Sequence, residues 1–314
     1  MKPILLTLLL ATCSSFLATA QRPNIILIFA DDQGYQDLSC FGSPNIKSPN
    51  IDRIAMEGCR FTDFYSAYCV CSASRAALMT GCYQPRISMP GVLGPKSKIA
   101  LHPDEVTIAD LLKDRGYATQ CVGKWHLGDH PDTLPTSQGF DHYFGYPYSN
   151  DMARNKGYGN NSGDLDKIWK EKNWKAYNGE LYRDQKVIEQ PVNQTTLTDR
   201  YGEECLKFIT RNARTNKTGY KQQKPFFLYY AHNFPHIPLF TPDTDLGRSR
   251  AGLYGDVIEG LDDSVGTILE LLERRGELDD TLILLTSDNG PWYEGNPGAV
   301  RGRKNQTWEG GMRV

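Results

Sequence analysis

Four short runs govern what this chain can fold into. Residues 24–30 (NIILIFA), 117–122 (YATQCV), 225–230 (PFFLYY) and 282–286 (LILLT) read as strands buried on both faces. Helical segments fall between them. Ser48 opens one that runs to Glu57, with Gly58 behind it. Residues 72–79 form another, ending at Gly81, and 107–115 a third, ending at Gly116. A helix over about 198–213 precedes the third strand. The longest, 254–275, carries Tyr254, Val257, Ile258, Leu261, Val265, Ile268, Leu269 and Leu272 at spacings of three and four. Residues 61–67 read as a further strand. Residues 151–197, with Gly157, Gly159, Gly163, Trp169, Trp174 and Tyr177, read as a long surface insertion. Alternating strands and helices predict an α/β fold, a mixed or parallel sheet covered on both faces. Each of the four strands is followed at once by polar groups: Asp31 and Asp32, Lys124 and His126, His232 and His236, Asp288 and Asn289. In open α/β sheets, sites form beyond the carboxyl ends of the strands.

The first twenty residues stand apart. Lys2, an apolar run over 4–11 and the exit Ala18-Thr19-Ala20 have the layout of an export signal cleaved after Ala20. The run is too short to cross a bilayer comfortably, and no other stretch approaches span length. A lipoprotein reading through Cys13 fits poorly, because Thr12 precedes it. The expected compartment is secreted or periplasmic, or lysosomal in a eukaryotic source. With 35 Lys and Arg against 37 Asp and Glu, no basic surplus supports a nucleic-acid partner. Eight cysteines less Cys13 leave an odd number for an exported chain, and three of them crowd into residues 69–82.

Asp31, Asp32, Asp288 and Asn289 are all oxygen donors. Brought together, the three carboxylates would repel one another without a cation, and oxygen-only ligation suits Ca²⁺ or Mg²⁺ better than Zn²⁺. Cys71 stands at the start of a short helix with Arg75 one turn later. A helix N-terminus favours anions and lowers a thiol pKa. A disulfide from Cys71 to Cys69, Cys82 or another cysteine is the competing reading.

The segment from Cys71 to Gly81 (CSASRAALMTG) resembles the signature of the sulfatase family, in which C-x-P/A-S-R precedes a short run ending in T-G. Other blocks resemble that family in the same order: 22–34 (RPNIILIFADDQG), 123–128 (GKWHLG), 138–151 (QGFDHYFGYPYSND), 286–291 (TSDNGP) and 304–311 (KNQTWEGG). Residues 90–134 are particularly similar to the arylsulfatase A group. Ala73 stands where many members have Pro, a form found in bacterial sulfatases.

This resemblance implies a large mixed, mostly parallel sheet sandwiched by helices, the alkaline phosphatase-like sulfatase fold. Residues 21–314 would be its catalytic domain, with the C-terminal subdomain missing. It implies that a formylglycine-generating enzyme converts Cys71 to Cα-formylglycine, which also explains the odd cysteine. One hydroxyl of the hydrated aldehyde would attack sulfur; the second, deprotonated, would expel sulfate. Asp31, Asp32, Asp288 and Asn289 resemble the ligands of a Ca²⁺ (or Mg²⁺) ion, with Cys71 itself as a further ligand. Arg75 and Lys124 would orient the formylglycine, His126 would accept a proton, and Ser149 would hydrogen-bond the hydrate or the sulfate. His236 and Lys304 would bind sulfate and assist the leaving oxygen, with His232 the alternative to His236. The expected reaction is hydrolysis of aryl or carbohydrate sulfate esters. The competing functions are a phosphate or phosphonate hydrolase of the same superfamily and an inactive carbohydrate-binding protein whose aromatic residues stack on sugars. Trp292-Tyr293 near the site favours a carbohydrate substrate. Sequons stand at Asn160, Asn193, Asn216 and Asn305.

Overall fold

In a computed structural model, the described residues are 22–155, 167–169, 171–212 and 224–314. The expected export signal, Asn160 and Asn216 lie outside them. The strands are β1 Asn24–Ala30, β2 Ala118–Gly123, β3 His142–Gly145, β4 Leu181–Arg183, β5 Lys186–Glu189, β6 Phe226–Ala231 and β7 Thr281–Ser287. They form one sheet in the order β5-β4-β3-β2-β6-β1-β7. The run from β3 to β7 is parallel, and β4 and β5 are antiparallel additions. The helices are α1 Pro49–Glu57, α2 Cys71–Thr80, α3 Ile108–Asp114, α4 Leu197–Asn212, α5 Gly252–Arg275 and α6 Glu309–Met312.

Alternation along the strands splits the core in two. Ile26, Ile28, Phe226, Leu228 and Tyr230 face α4 and α5. Leu27, Phe29, Cys121, Phe227 and Tyr229 face α2 and α3. The sheet is therefore covered by helices on both faces, as the alternating pattern predicted. Two stop signals act as expected: α1 ends at Glu57 before Gly58, and α2 at Thr80 before Gly81, which has φ +67°. Thr107 caps α3 in a capping box with Asp110.

Three expectations need correction. Residues 61–67 are not a strand. Tyr65 makes one isolated bridge to Arg313, and Phe61, Phe64 and Tyr65 are exposed with no neighbouring strand to pair with. The described residues of 151–197 are not all at the surface, and Gly157, Gly159 and Gly163 lie outside the described residues. Ala176, Tyr177, Leu181 and Val192 are buried there, and β4 and β5 extend the sheet. Strands of three and four residues show no readable period, so the Gly and Asn content dominated the sequence signal. Finally, β7 is an edge strand and not buried on both faces: Leu282 and Leu284 are 47% and 44% exposed. The strand β3 also went unpredicted, for the same reason of length.

The loop leaving β1 is pinned by Asp37. Its carboxylate accepts hydrogen bonds from Gly34 N (2.7 Å), Tyr254 Oη (2.5 Å) and Asn296 N (2.9 Å). Burial pushes this carboxyl up to about 6, against the pull of those donors. A raised folded-state value means that Asp37 adds stability below about pH 4 and loses it as pH rises through 6. The expected size is about 3 kcal/mol, at about 1.4 kcal/mol for each tenfold change in proton affinity. Urea unfolding of the parent and Asp37→Asn should therefore show the difference between them moving toward the Asn variant by that amount from pH 4 to 7. A difference that does not change with pH would contradict this.

Candidate active site

Register brings the post-strand residues together. Phe29 pairs with Ala231, Ala30 with Ser287 and Gly123 with Ala231, so β1, β2, β6 and β7 end at one level. Gly123 is required there. It has φ +104°, and a Cβ would lie 1.9 Å from Ala231 O. Asp31, Lys124, His232 and Asp288 are consequently the first residues beyond the same sheet edge. Asp32 and His126 hold left-handed backbone conformations, φ +62° and +63°, which is uncommon outside glycine and concentrates at functional sites.

The cluster is buried and charge-balanced: Arg75, Lys124 and Lys304 against Asp31, Asp32 and Asp288. Arg75 Nε and Nη2 donate to Asp288 Oδ2 at 3.0 and 2.8 Å, and Nη1 donates to Lys124 O at 2.9 Å. Its guanidinium also lies 5.2 Å from the centroid of Phe29, a contact with no sequence signal. Lys124 Nζ donates to Asp31 and to Ser149 Oγ, the latter at 2.6 Å. Lys304 Nζ donates to Asp32 Oδ2 at 2.8 Å. Asn289 Nδ2 donates to Asp32 Oδ1 at 2.7 Å, and Asp32 N donates to Asp288 Oδ1 at 3.1 Å. Burial drives the Asp31 carboxyl upward, but Lys124, His236 and Arg75 outweigh it and hold it below its ordinary value. Asp288 goes the other way, raised by burial and by Asp31.

Cys71 is 1% exposed and sits at the first turn of α2, beneath these charges. It is a free cysteine, as are Cys69 and Cys82, so the disulfide reading fails among the described residues. Burial raises its thiol above the usual value despite Lys124 and Lys304. A place at a helix start is therefore accompanied here by burial, which acts on the thiol in the opposite direction. Such a thiol is a poor nucleophile near neutral pH.

The histidines divide clearly. His126 Nε2 faces Leu93 O at 2.8 Å, so it carries the proton; Nδ1 is buried with no hydrogen-bond partner among the described residues. Burial, then Lys124, lowers its pKa well below 6.5, leaving a neutral ring with a free acceptor. Leu93 was not foreseen, since a backbone carbonyl leaves no mark in sequence. His236 Nδ1 bonds Ile237 O, which frees Nε2, 3.6 Å from Asp32 Oδ2. His232 turns away. Its Nδ1 accepts from Phe234 N, it packs among Tyr201, Tyr230 and Phe234, and burial lowers its pKa to about 3. His236, and not His232, is thus the ring that faces the carboxylate cluster.

The residues fit a hard cation. Asp31 Oδ1 and Asn289 Oδ1 are buried and accept no hydrogen bond among the described residues. Asp31, Asp32 and His236 can bring ligand atoms within 4.8 Å of one another. Both Asp288 oxygens are engaged by Arg75 and Asp32 N, leaving spare lone pairs only.

A mostly parallel sheet thus gathers oxygen donors, fixed cations and a helix-borne cysteine at one carboxyl edge. The family model described as Sulfatase matches residues 23–314, and the chain belongs to the sulfatase family. It is 39% identical to arylsulfatase A of Homo sapiens, covering 97% of this chain and 60% of that protein. It is 38% identical to human N-acetylgalactosamine-6-sulfatase, covering 93% and 56%. The crystal structure of Ps i-CgsB in complex with k-i-k-neocarrahexaose superposes with a TM-score of 0.77 at 34% identity, over 93% of this chain and 64% of that one. The chain thus spans about 60% of the length of the curated relatives it matches. No helix among the described residues is long and apolar enough to cross a membrane.

Proposed function

We propose that the protein hydrolyses sulfate esters, with sulfated carbohydrates as natural substrates, using Cα-formylglycine made from Cys71. The observation that carries this is the burial of Cys71 among Lys124, Lys304, Arg75 and their carboxylate partners, where burial disfavours a thiolate and so a thiolate mechanism. Formylglycine supplies, as its hydrate, one hydroxyl to attack sulfur and another whose loss of a proton expels sulfate. Asp31, Asp32, Asp288 and Asn289, with residue 71, would hold Ca²⁺ or Mg²⁺, whose positive charge opposes that of the sulfate oxygens. Lys124 and Lys304 neutralise equatorial oxygen charge in a water-poor cleft, where such charges act most strongly. Ser149 orients Lys124, and Arg75 fixes Asp288 beside α2. His126 offers Nδ1 as the proton acceptor. His236, with Nδ1–H donating to Ile237 O, would as the imidazolium offer its second N–H, at Nε2, to the departing oxygen. A formylglycine-generating enzyme is the expected maturation partner, and the expected setting is an exported one. A carbohydrate substrate is supported by the sugar named for one relative and the hexaose bound in one similar structure.

His236 tests the assignment through its leaving group. An acidic phenol departs nearly unaided, so His236→Ala should slow an aryl sulfate little. A sugar alkoxide needs the proton, and kcat should fall by roughly 10²–10⁴. Equal losses on both substrates would remove His236 from the acid role.

A further inference from the structure

Arg301 and Trp308 lie on the loop that carries Lys304 and serve the site in no way described above. Arg301 is exposed and has no carboxylate at ion-pair distance among the described residues. Its guanidinium lies 4.0 Å from the centroid of the Trp308 ring, which is itself 51% exposed. The neighbouring cations differ. Arg303 Nη1 is committed to Trp292 O and Gly295 O, and Lys304 to Asp32. Arg313 is held by Thr62 O and Asp63.

The pair is tied closely to the site. Gly310 N donates to Arg301 O at 2.8 Å, and Gly311 N to Trp308 O at 2.8 Å. Gly290, next to Asn289, donates to Gly311 O at 2.9 Å. A Cβ on Gly302 would lie 2.6 Å from Trp308 Cβ, so this loop is packed against the indole. The same loop carries Lys304 inward. A second aromatic, Tyr293, stands 68% exposed nearby on the segment that Arg303 braces.

A guanidinium held over an indole still has N–H groups free to donate and loses little further freedom on binding an oxyanion. Its fork matches two oxygens of a sulfate. An exposed indole beside it offers a face for a sugar ring. We propose that Arg301 and Trp308 form an accessory subsite for a second sulfate, one carried by a multiply sulfated sugar whose first sulfate enters the catalytic cleft. This rests on the sulfatase reading above.

The test compares two substrates in the full-length, matured protein: a monosulfated aryl ester and a sugar bearing two sulfates. Arg301→Gln should lower kcat/KM for the disulfated sugar about ten- to a hundredfold, mainly through KM, the range for hydrogen bonds to charged groups. Turnover of the aryl ester should stay at the parent level. Arg301→Lys should recover part of the loss, and salt should weaken the sugar's KM more in the parent than in Arg301→Gln. An unchanged disulfated-sugar rate, or equal losses on both substrates, overturns the subsite while leaving the sulfatase reading intact. A matured parent that turns over neither substrate removes both.

Discussion

Cys71→Ala is expected to abolish sulfate-ester hydrolysis while leaving the fold in place. Cys71 is 1% exposed and makes no disulfide, so truncation removes one buried sulfur and no partner. Alanine is also the best helix former, and the cost to stability should stay near ~1 kcal/mol. The activity loss, by contrast, should be complete, because no other side chain in the cleft supplies the nucleophile. Turnover and a thermal melt on the same sample separate the two effects. In the parent, mass analysis of the peptide containing residue 71 should show sulfur and two hydrogens replaced by oxygen. Fully active protein with an intact cysteine at 71 would refute the proposed mechanism.

Asp288→Ala should produce the largest combined loss. Asp288 Oδ2 takes two hydrogen bonds from Arg75, and both residues are fully buried. Removing the carboxylate leaves a guanidinium in the interior with only Asp31, at 3.5 Å, as a nearby counter-charge among the described residues. Breaking a buried pair in this way costs about 3–5 kcal/mol. The same change removes an oxygen donor and frees Arg75 to move, so metal content and turnover should fall together. Elemental analysis and urea unfolding check the two halves. A variant that melts like the parent and retains its metal would show that Asp288 neither holds Arg75 nor contributes to an ion site.

How far these features could be read from sequence depends on how many residues carry each signal. The strands β1, β2, β6 and β7 were legible because each is six or seven residues long and ends at a polar group. The helix α5 was legible from its spacing of apolar residues. The strands β3, β4 and β5, at three or four residues, fall below any period; β4 and β5 form a local hairpin, and only the pairing of β4 with β3 spans a long stretch of sequence. At the site, the identities of Asp31, Asp32, Arg75, Lys124, Asp288 and Asn289 were readable, while their mutual pairing was not. Ser149 had the thinnest sequence support, yet it lies 2.6 Å from Lys124 Nζ. The setting of Cys71 was legible only in part, since a helix position is visible in sequence and the depth of burial is not. His126 could be chosen from its block, but its free Nδ1 depends on Leu93 O, which no side chain announces.

The seclusion of Cys71 also fixes a timetable. The strand β1 sits between β6 and β7, and Lys304 reaches Asp32 across 272 positions of sequence. The chamber over Cys71 thus closes only after nearly the whole of this chain has been synthesised and has docked. The modifying enzyme proposed above would have to reach the backbone around residue 71, and in the finished molecule that segment is a buried helix turn. Conversion of this sulfur, as proposed above, would then precede closure of the sheet, while the segment is still an extended peptide. Changes that hasten closure of the sheet would shorten that interval and trap unconverted cysteine in otherwise well-folded protein.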